Sequence, residues 1–254
     1  MLHRASWYQH TVPSGAVASV SQLASVIEGI SGSDNFWYRG ESKEWPVPCS
    51  TSFARSRDTA CSYATDESGA AESFFTVEED DIIRRFQATS PSDKYFEALN
   101  PTNDPLFPSW IAFAQHHGEP TRLLDVTRNP LVALYFAASE DPDEDGAIYV
   151  YTELWNPETP LKSRPNTYRD LFDVWFDSSG SIQNPPPTNT SLLHIPEHPS
   201  HRALAQNSGF VWKPEPLESH EPNTLAIRID AGAKPDIIQR LHGFGIFHEA
   251  LFPK

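Results

Sequence analysis

The sequence is poor in cysteine and in basic residues. Of its 254 residues only Cys49 and Cys61 are cysteines, which excludes a disulfide framework and a cysteine-rich zinc site. Lysine and arginine number 19 against 34 aspartates and glutamates, so the formal net charge is −15. A surface of that sign repels phosphate backbones, and we therefore expect no binding to a nucleic-acid backbone. A local basic pocket remains compatible with this charge.

Long apolar runs are also missing. No run approaches the roughly 20 residues that cross a bilayer, and the first fifteen residues carry no continuous apolar core of a secretory signal. These two absences predict a cytoplasmic protein that does not associate with membranes.

Helical and strand patterns are mixed along the chain without strict alternation. Hydrophobic residues make up 39% and aromatic residues 12%, enough for a sizeable core, while 23 prolines imply many loops. Apolar periodicity and capping signals predict helices at 17–30, 76–86, 110–117, 130–138, 167–176 and 235–242. Alternation and turn signals predict strands at 36–39, 121–124, 147–151, 209–213, 224–230 and 246–252. The pattern favours an α+β fold, with a mixed or antiparallel sheet as its core and helices at its flanks.

Two segments carry a specific motif. Residues 36–42 read Phe-Trp-Tyr-Arg-Gly-Glu-Ser, and residues 114–138 contain Gln-His-His-Gly, Thr-Arg-Leu-Leu-Asp, Asn-Pro and Ala-Leu-Tyr-Phe-Ala in that order. Together they resemble the two signatures of the FRG domain family. Residues 202–210 and 241–253 resemble two later segments of that family. The resemblance covers most of the chain and implies one FRG domain over residues 1–254, with both signatures at a single site.

The resemblance also implies a function, because some FRG domains are thought to be distant relatives of ADP-ribosyltransferases. It implies a fold like that of these transferases and a site for NAD or a related nucleotide, without a metal. The expected activity is transfer of ADP-ribose, for instance to a protein acceptor, or hydrolysis of NAD. The alternative is a non-enzymatic module that binds a nucleotide, another small molecule or a protein through a degenerate site.

Arg39 is the first candidate for ligand binding. It follows three aromatic residues in a short predicted strand, and a guanidinium held there can grip a pyrophosphate with two hydrogen bonds. Gly40 would let a ligand approach the backbone closely. The alternative is a structural ion pair between Arg39 and Asp34, Glu41 or Asp125. If the two signatures form one site, the Arg39 guanidinium should lie near Asp125 or Thr127.

A second candidate region runs from Thr121 to Asn129. Its polar side chains precede a helix, and a helix N-terminus favours anions. The resemblance makes it a remote counterpart of the strand that lines the nicotinamide pocket of transferases, with Thr127 or Thr121 supplying the hydroxyl. The alternatives are a buried ion pair between Arg122 and Asp125, and a simple capping role for Asn129.

The transferase glutamate, which stabilises an oxocarbenium-like transition state, has no obvious counterpart. The later half of the chain contains no Glu-x-Glu pair, and Gln206 and Glu249 are the candidates for this position. His116, at a predicted helix end, could act as a general base or simply pack there. The candidate catalytic residues are Arg39, His116, Asp125, Thr127, Gln206 and Glu249. The candidate cofactor-binding residues are Arg39, Gly40, Thr121, Arg122, Asn129 and Tyr135.

Overall fold

A computed structural model gives the fold. It describes residues 6–7, 15–30, 36–45, 49–52, 77–89, 108–121, 123–151, 192–194, 200–212 and 224–253. The helix predicted at 167–176 and the candidate Arg122 lie outside the described residues.

Seven α-helices lie in this part of the chain. They are α1 (Val20–Gly29), α2 (Val77–Thr89), α3 (Pro108–His116), α4 (Pro130–Ala138), α5 (His201–Gln206), α6 (Lys234–Gly243) and α7 (His248–Leu251). The predicted start of α4 is confirmed, because the Asn129 side chain accepts a hydrogen bond from the Leu131 amide and Pro130 occupies the first turn.

The described strands form one seven-stranded sheet. They are β1 (Ser6–Trp7), β2 (Trp37–Glu41), β3 (Leu123–Thr127), β4 (Gly146–Tyr151), β5 (Leu192–His194), β6 (Ser208–Trp212) and β7 (Thr224–Ile229). Their order is β1-β7-β4-β2-β3-β6-β5. Only the β1–β7 pairing is parallel, so the predicted α+β class with a mixed sheet is confirmed.

The strand predicted at 246–252 is wrong. Residues His248–Leu251 form α7, and the Ile246 amide instead donates to the Leu241 carbonyl at 3.0 Å, which closes the end of α6. Ile246 and Leu251 are both buried in the same hydrophobic core as residues of α4 and α6. Their apolar character therefore reflects packing against helices rather than alternation along a strand.

Helix α4 is central to the packing. Six of its nine residues are buried, because β2 and β4 cover one side and α6 covers another. A helix enclosed in this way is apolar around most of its circumference. On β2, Tyr38 faces this helical layer, while Trp37 joins a second apolar cluster.

Gly40 has a packing role in addition to the one that its sequence context suggests. A Cβ atom at this position would collide with the Ala133 carbonyl oxygen of α4. The missing side chain therefore lets the helix approach the strand, and Gly40 also borders the cleft beside β2. Gly146 makes the same kind of close contact with Ala137.

The sheet is nearly split between β2 and β3. Strand β2 forms five residue pairs with β4, but its described pairing with β3 is the single pair Tyr38–Thr127. On the far side of this pair the two strands leave a cleft, bordered by Arg39 to Ser42 on one side and by Asp125 on the other. The two halves of the sheet thus enclose a space at their junction.

Candidate functional site

The cleft at the junction of β2 and β3 has a volume of about 270 Å³. The two strands form two of its walls, α4 contributes Val132 and Phe136, and α5 contributes Arg202 and Gln206. Both signature segments therefore border one cavity, although 86 residues separate Arg39 from Asp125.

Arg39 bridges the split in the sheet. Its Nη1 donates to the Asp125 backbone oxygen at 3.0 Å, and its Nε donates to Glu41 Oε1 at 2.9 Å. Burial by itself lowers the pKa of Arg39, but Glu41 and nearby groups outweigh it, and the net pKa is raised. The side chain therefore stays charged while only 12% exposed.

The ion pair left open by the sequence is thus present, with Glu41 as the partner. It engages one of the five N–H groups of the guanidinium, and the bond to Asp125 engages a second. The remaining three N–H groups of the guanidinium form no hydrogen bond with any described residue. The ion pair therefore leaves them able to contact a ligand in the cleft.

Glu41 is buried more deeply than Arg39. Its side chain is 2% exposed, and its second oxygen accepts a hydrogen bond from the Cys49 amide at 3.3 Å. A carboxylate in this setting depends on its cationic partner, since an unpaired buried charge is costly.

Asp125 borders the cleft, and its carboxylate is held by Gln115. Gln115 Nε2 donates to Asp125 Oδ2 at 2.9 Å, and the Gln115 oxygen accepts a hydrogen bond from the Thr121 hydroxyl. The Thr121 hydroxyl also accepts a hydrogen bond from the Leu123 amide, and Thr121 is fully buried. Thr121 therefore supports Asp125 through Gln115 and does not line the cleft itself.

Thr127, also on β3, and Gln206 of α5 meet at another wall of the cleft. The Thr127 hydroxyl donates to the Gln206 backbone oxygen at 2.6 Å and accepts from the Asn129 amide at 3.0 Å. Gln206 is 3% exposed, and its side-chain amide donates to the Leu251 oxygen at 3.1 Å. Thr127 and Gln206 both line the cleft, but the Gln206 side-chain amide already uses one N–H group in the hydrogen bond to α7.

His116 lies behind this wall. Its Nδ1 is 3.2 Å from the Ser200 hydroxyl, and its ring packs near Phe210. Burial lowers its pKa, opposed by Asp125. Its Nε2 is buried, with no hydrogen-bond partner among the described residues. The structure therefore gives His116 no place in the lining of the cleft.

Three further candidates are separate from the cavity. Glu249 is exposed on α7, Tyr135 is buried within α4, and Asn129 serves as the helix cap. Burial raises the Tyr135 pKa, and the nearby Glu249 adds to this effect. Of the two candidates for the glutamate position, only Gln206 borders the cleft that contains Arg39.

Arg202 is a cleft residue that the sequence reasoning missed. Its Nη1 donates to the His116 backbone oxygen at 3.4 Å, and its guanidinium lies 4.7 Å from the centre of the Phe252 ring. Its Nε is buried without a hydrogen-bond partner in the described part of the chain. The one available signal was its position at the start of the segment 202–210, which resembled a family segment.

The fold and the site define the class of this protein. It is an α+β protein with a cavity at the split in its sheet, and Arg39 and Arg202 border that cavity. The family model of the FRG domain matches residues 34–146. The chain therefore contains an FRG domain, and the recognition based on the two signature segments is confirmed. The match includes both signatures and ends at Gly146, so the segments at 202–210 and 241–253 lie outside it.

No curated protein and no solved structure matches the chain. Within the described ranges, no helix has the length and apolar character needed to cross a membrane. In the same ranges, no group of three or more histidine, cysteine, aspartate or glutamate residues is arranged to hold a metal ion.

Proposed function

We propose that the cleft between β2 and β3 binds NAD or a related nucleotide. The observation that carries this proposal is the convergence of Arg39 and Arg202 on one cavity. The two arginines share the cleft lining with three acidic residues, Glu41, Asp125 and Glu140, of which Glu41 is paired with Arg39. Arginine presents a planar fork of donors that suits a pyrophosphate.

The other walls of the cleft suit the remaining parts of a nucleotide. Tyr38, Trp45 and Phe136 contribute aromatic surface, and Thr127 and Ser208 contribute hydroxyl groups. Small-molecule sites usually measure about 300–1,000 Å³. A cleft of about 270 Å³ therefore fits one half of a dinucleotide, with the other half extending outward.

Cleavage of the nicotinamide–ribose bond would need a carboxylate near the ribose. Gln206 cannot supply one, since its side chain is a neutral amide that donates to Leu251. Asp125 is the candidate, because it is an acidic residue of the cleft lining and Gln115 holds its carboxylate in place. Asp125 is therefore the residue that we propose for an ADP-ribosyl transfer or NAD hydrolysis activity.

Binding without turnover is the second candidate function. Gln206, the one of the two candidates for the transferase glutamate that borders the cleft, is a neutral amide, and this favours it. Incubation with NAD, followed by chromatography for released nicotinamide, separates the two functions. Release that disappears in Asp125→Asn supports catalysis, whereas binding with no release supports the binding module.

Calorimetric titration tests the shared part of both functions. NAD and ADP-ribose should bind with similar affinity, and nicotinamide alone should bind far more weakly, because the phosphates carry the contacts. Loss of a charged hydrogen bond costs about 1.5–3 kcal/mol, so Arg202→Met should weaken binding roughly 10- to 150-fold.

Arg240→Met is the matched control, since Arg240 is exposed on α6 and does not border the cleft. This variant should bind as the wild type does. Absence of NAD and ADP-ribose binding, or equal binding by Arg202→Met and wild type, would refute the proposal.

A further inference from the structure

Lys234 is almost completely buried at the first residue of α6. It is 1% exposed, and its ammonium donates to three backbone oxygens: Ser42 at 2.6 Å, Asp141 at 2.7 Å and Glu140 at 3.0 Å. An ammonium has three N–H groups, so these bonds saturate it. We call the three oxygens the carbonyl cage.

The cage joins segments that are distant in sequence. Ser42 follows β2, Glu140 and Asp141 follow α4, and Lys234 lies 192 residues after Ser42. Ser42 and Glu140 also border the cleft. The ammonium therefore links the end of the strand that carries Arg39 to the end of the helix that covers it.

Local preferences do not explain this lysine. A cation is disfavoured at a helix N-terminus, and burial lowers the pKa of Lys234, opposed by Asp141, Asp145 and Glu144. The buried ammonium is nevertheless stabilised, because it donates to three carbonyl oxygens whose dipoles point at the charge. The Asp141 carboxylate ties the same segments together, since it accepts hydrogen bonds from the Ser42 hydroxyl at 2.6 Å and from Lys43 at 3.1 Å.

We propose that Lys234 is a positioning residue of the cleft, whose ammonium acts as a tethered cation in the carbonyl cage and fixes the wall formed by Ser42 and Glu140. Without the lysine side chain, the cage is a site for a small ammonium ion that carries N–H donors. The link to ligand binding rests on the function proposed above, whereas the cage and the fixed wall do not.

Lys234→Ala, made in the full chain, is the principal test. We expect a lower melting temperature and faster amide hydrogen exchange in the segments 39–42 and 139–141, by roughly tenfold or more for a locally opened segment. Added methylammonium or ammonium should reverse both effects in the variant and leave the wild type unchanged. Tetramethylammonium, which has no N–H donor, should reverse neither.

Two variants complete the design. Lys43→Ala removes a more exposed lysine that contacts Asp141 without entering the cage, so it should show no rescue by methylammonium. If Lys234→Ala does not fold, Lys234→Met keeps the side-chain volume, and the same exchange rates should rise in the same segments.

The outcomes separate the inference from the proposed function. Rescue of stability and exchange by methylammonium supports the inference even if no nucleotide binds. Unchanged exchange in the two segments, or equal rescue by tetramethylammonium, overturns it. If the wild type binds NAD, the affinity of Lys234→Ala should fall and return with methylammonium. Unchanged affinity would overturn the link to the ligand.

Discussion

Replacing Arg39 by methionine should destabilise the fold through Glu41. The Glu41 side chain is 2% exposed, and its remaining hydrogen bond would be the one from the Cys49 amide at 3.3 Å. Removing one partner of a buried ion pair costs about 3–5 kcal/mol. At about 2–4 °C per kcal/mol for a protein of this size, the melting temperature should fall by roughly 6–20 °C.

The double variant Arg39→Met/Glu41→Leu should recover part of this loss. It leaves no charge unpaired, and apolar replacement of a whole buried pair is often neutral. The lost hydrogen bond from the charged guanidinium to the Asp125 oxygen should remain as a deficit of about 1.5–3 kcal/mol. Urea unfolding of the wild type, both single variants and the double variant gives the coupling energy directly.

This cycle also separates the two roles of Arg39. Nucleotide binding is best compared between wild type and the double variant, whose stabilities should be closer than those of wild type and Arg39→Met, so that a lost contact is not confused with a lost fold. If Arg39→Met is within about 1 kcal/mol of wild type, the ion pair contributes little and the reasoning from burial is refuted.

Three further predictions concern neighbouring features. The wild type should lose stability as the pH falls from about 7 to about 5. The reason is that burial lowers the pKa of His116, so the unfolded chain takes up the proton first, near pH 6.5. In urea titrations at the two pH values His116→Gln should lose less stability than the wild type, and equal losses would contradict this. Hydrogen bonds from Ser42 and Lys43 lower the pKa of Asp141, so Asp141→Asn should lower the free energy of unfolding by about 1 kcal/mol at neutral pH. This difference between variant and wild type should disappear as the pH falls through the lowered pKa of Asp141. Gly40→Ala should lower the stability by about 1–3 kcal/mol in thermal unfolding because of the collision with α4. Gly243→Ala is the control and should be nearly neutral, because a Cβ atom at Gly243 has no neighbouring atom within 4 Å. Equal effects of the two substitutions would refute the packing argument.

Features with local causes could be predicted from the sequence. Asn129 and Pro130 are adjacent, so the start of α4 was encoded within a few residues and the structure has it there. Alternation within a single strand likewise predicted β7. The meeting of residues 36–42 with Asp125 came instead from the family resemblance, since no local signal relates segments so far apart.

The features that sequence reasoning missed depend on tertiary packing. An arginine at the start of a six-residue helix, such as Arg202, shows no pattern that directs it into a cleft. Lys234 reads as an ordinary surface lysine, because its three partners are carbonyls that every residue possesses. The apolar residues around α7 suggested a strand, because burial against helices and burial in a sheet produce similar short apolar runs.

The pairing of the sheet determines how the chain can be divided. The family match ends at Gly146, but β2 pairs mainly with β4 and β3 pairs with β6, and these two partners lie almost entirely after that residue. A fragment of residues 34–146 would retain the single pair Tyr38–Thr127 between its two described strands. Most of its strand amides and carbonyls would then form open edges, which are templates for pairing with other copies. Such a fragment should aggregate, so the region that the family model matches is smaller than the unit that we expect to fold.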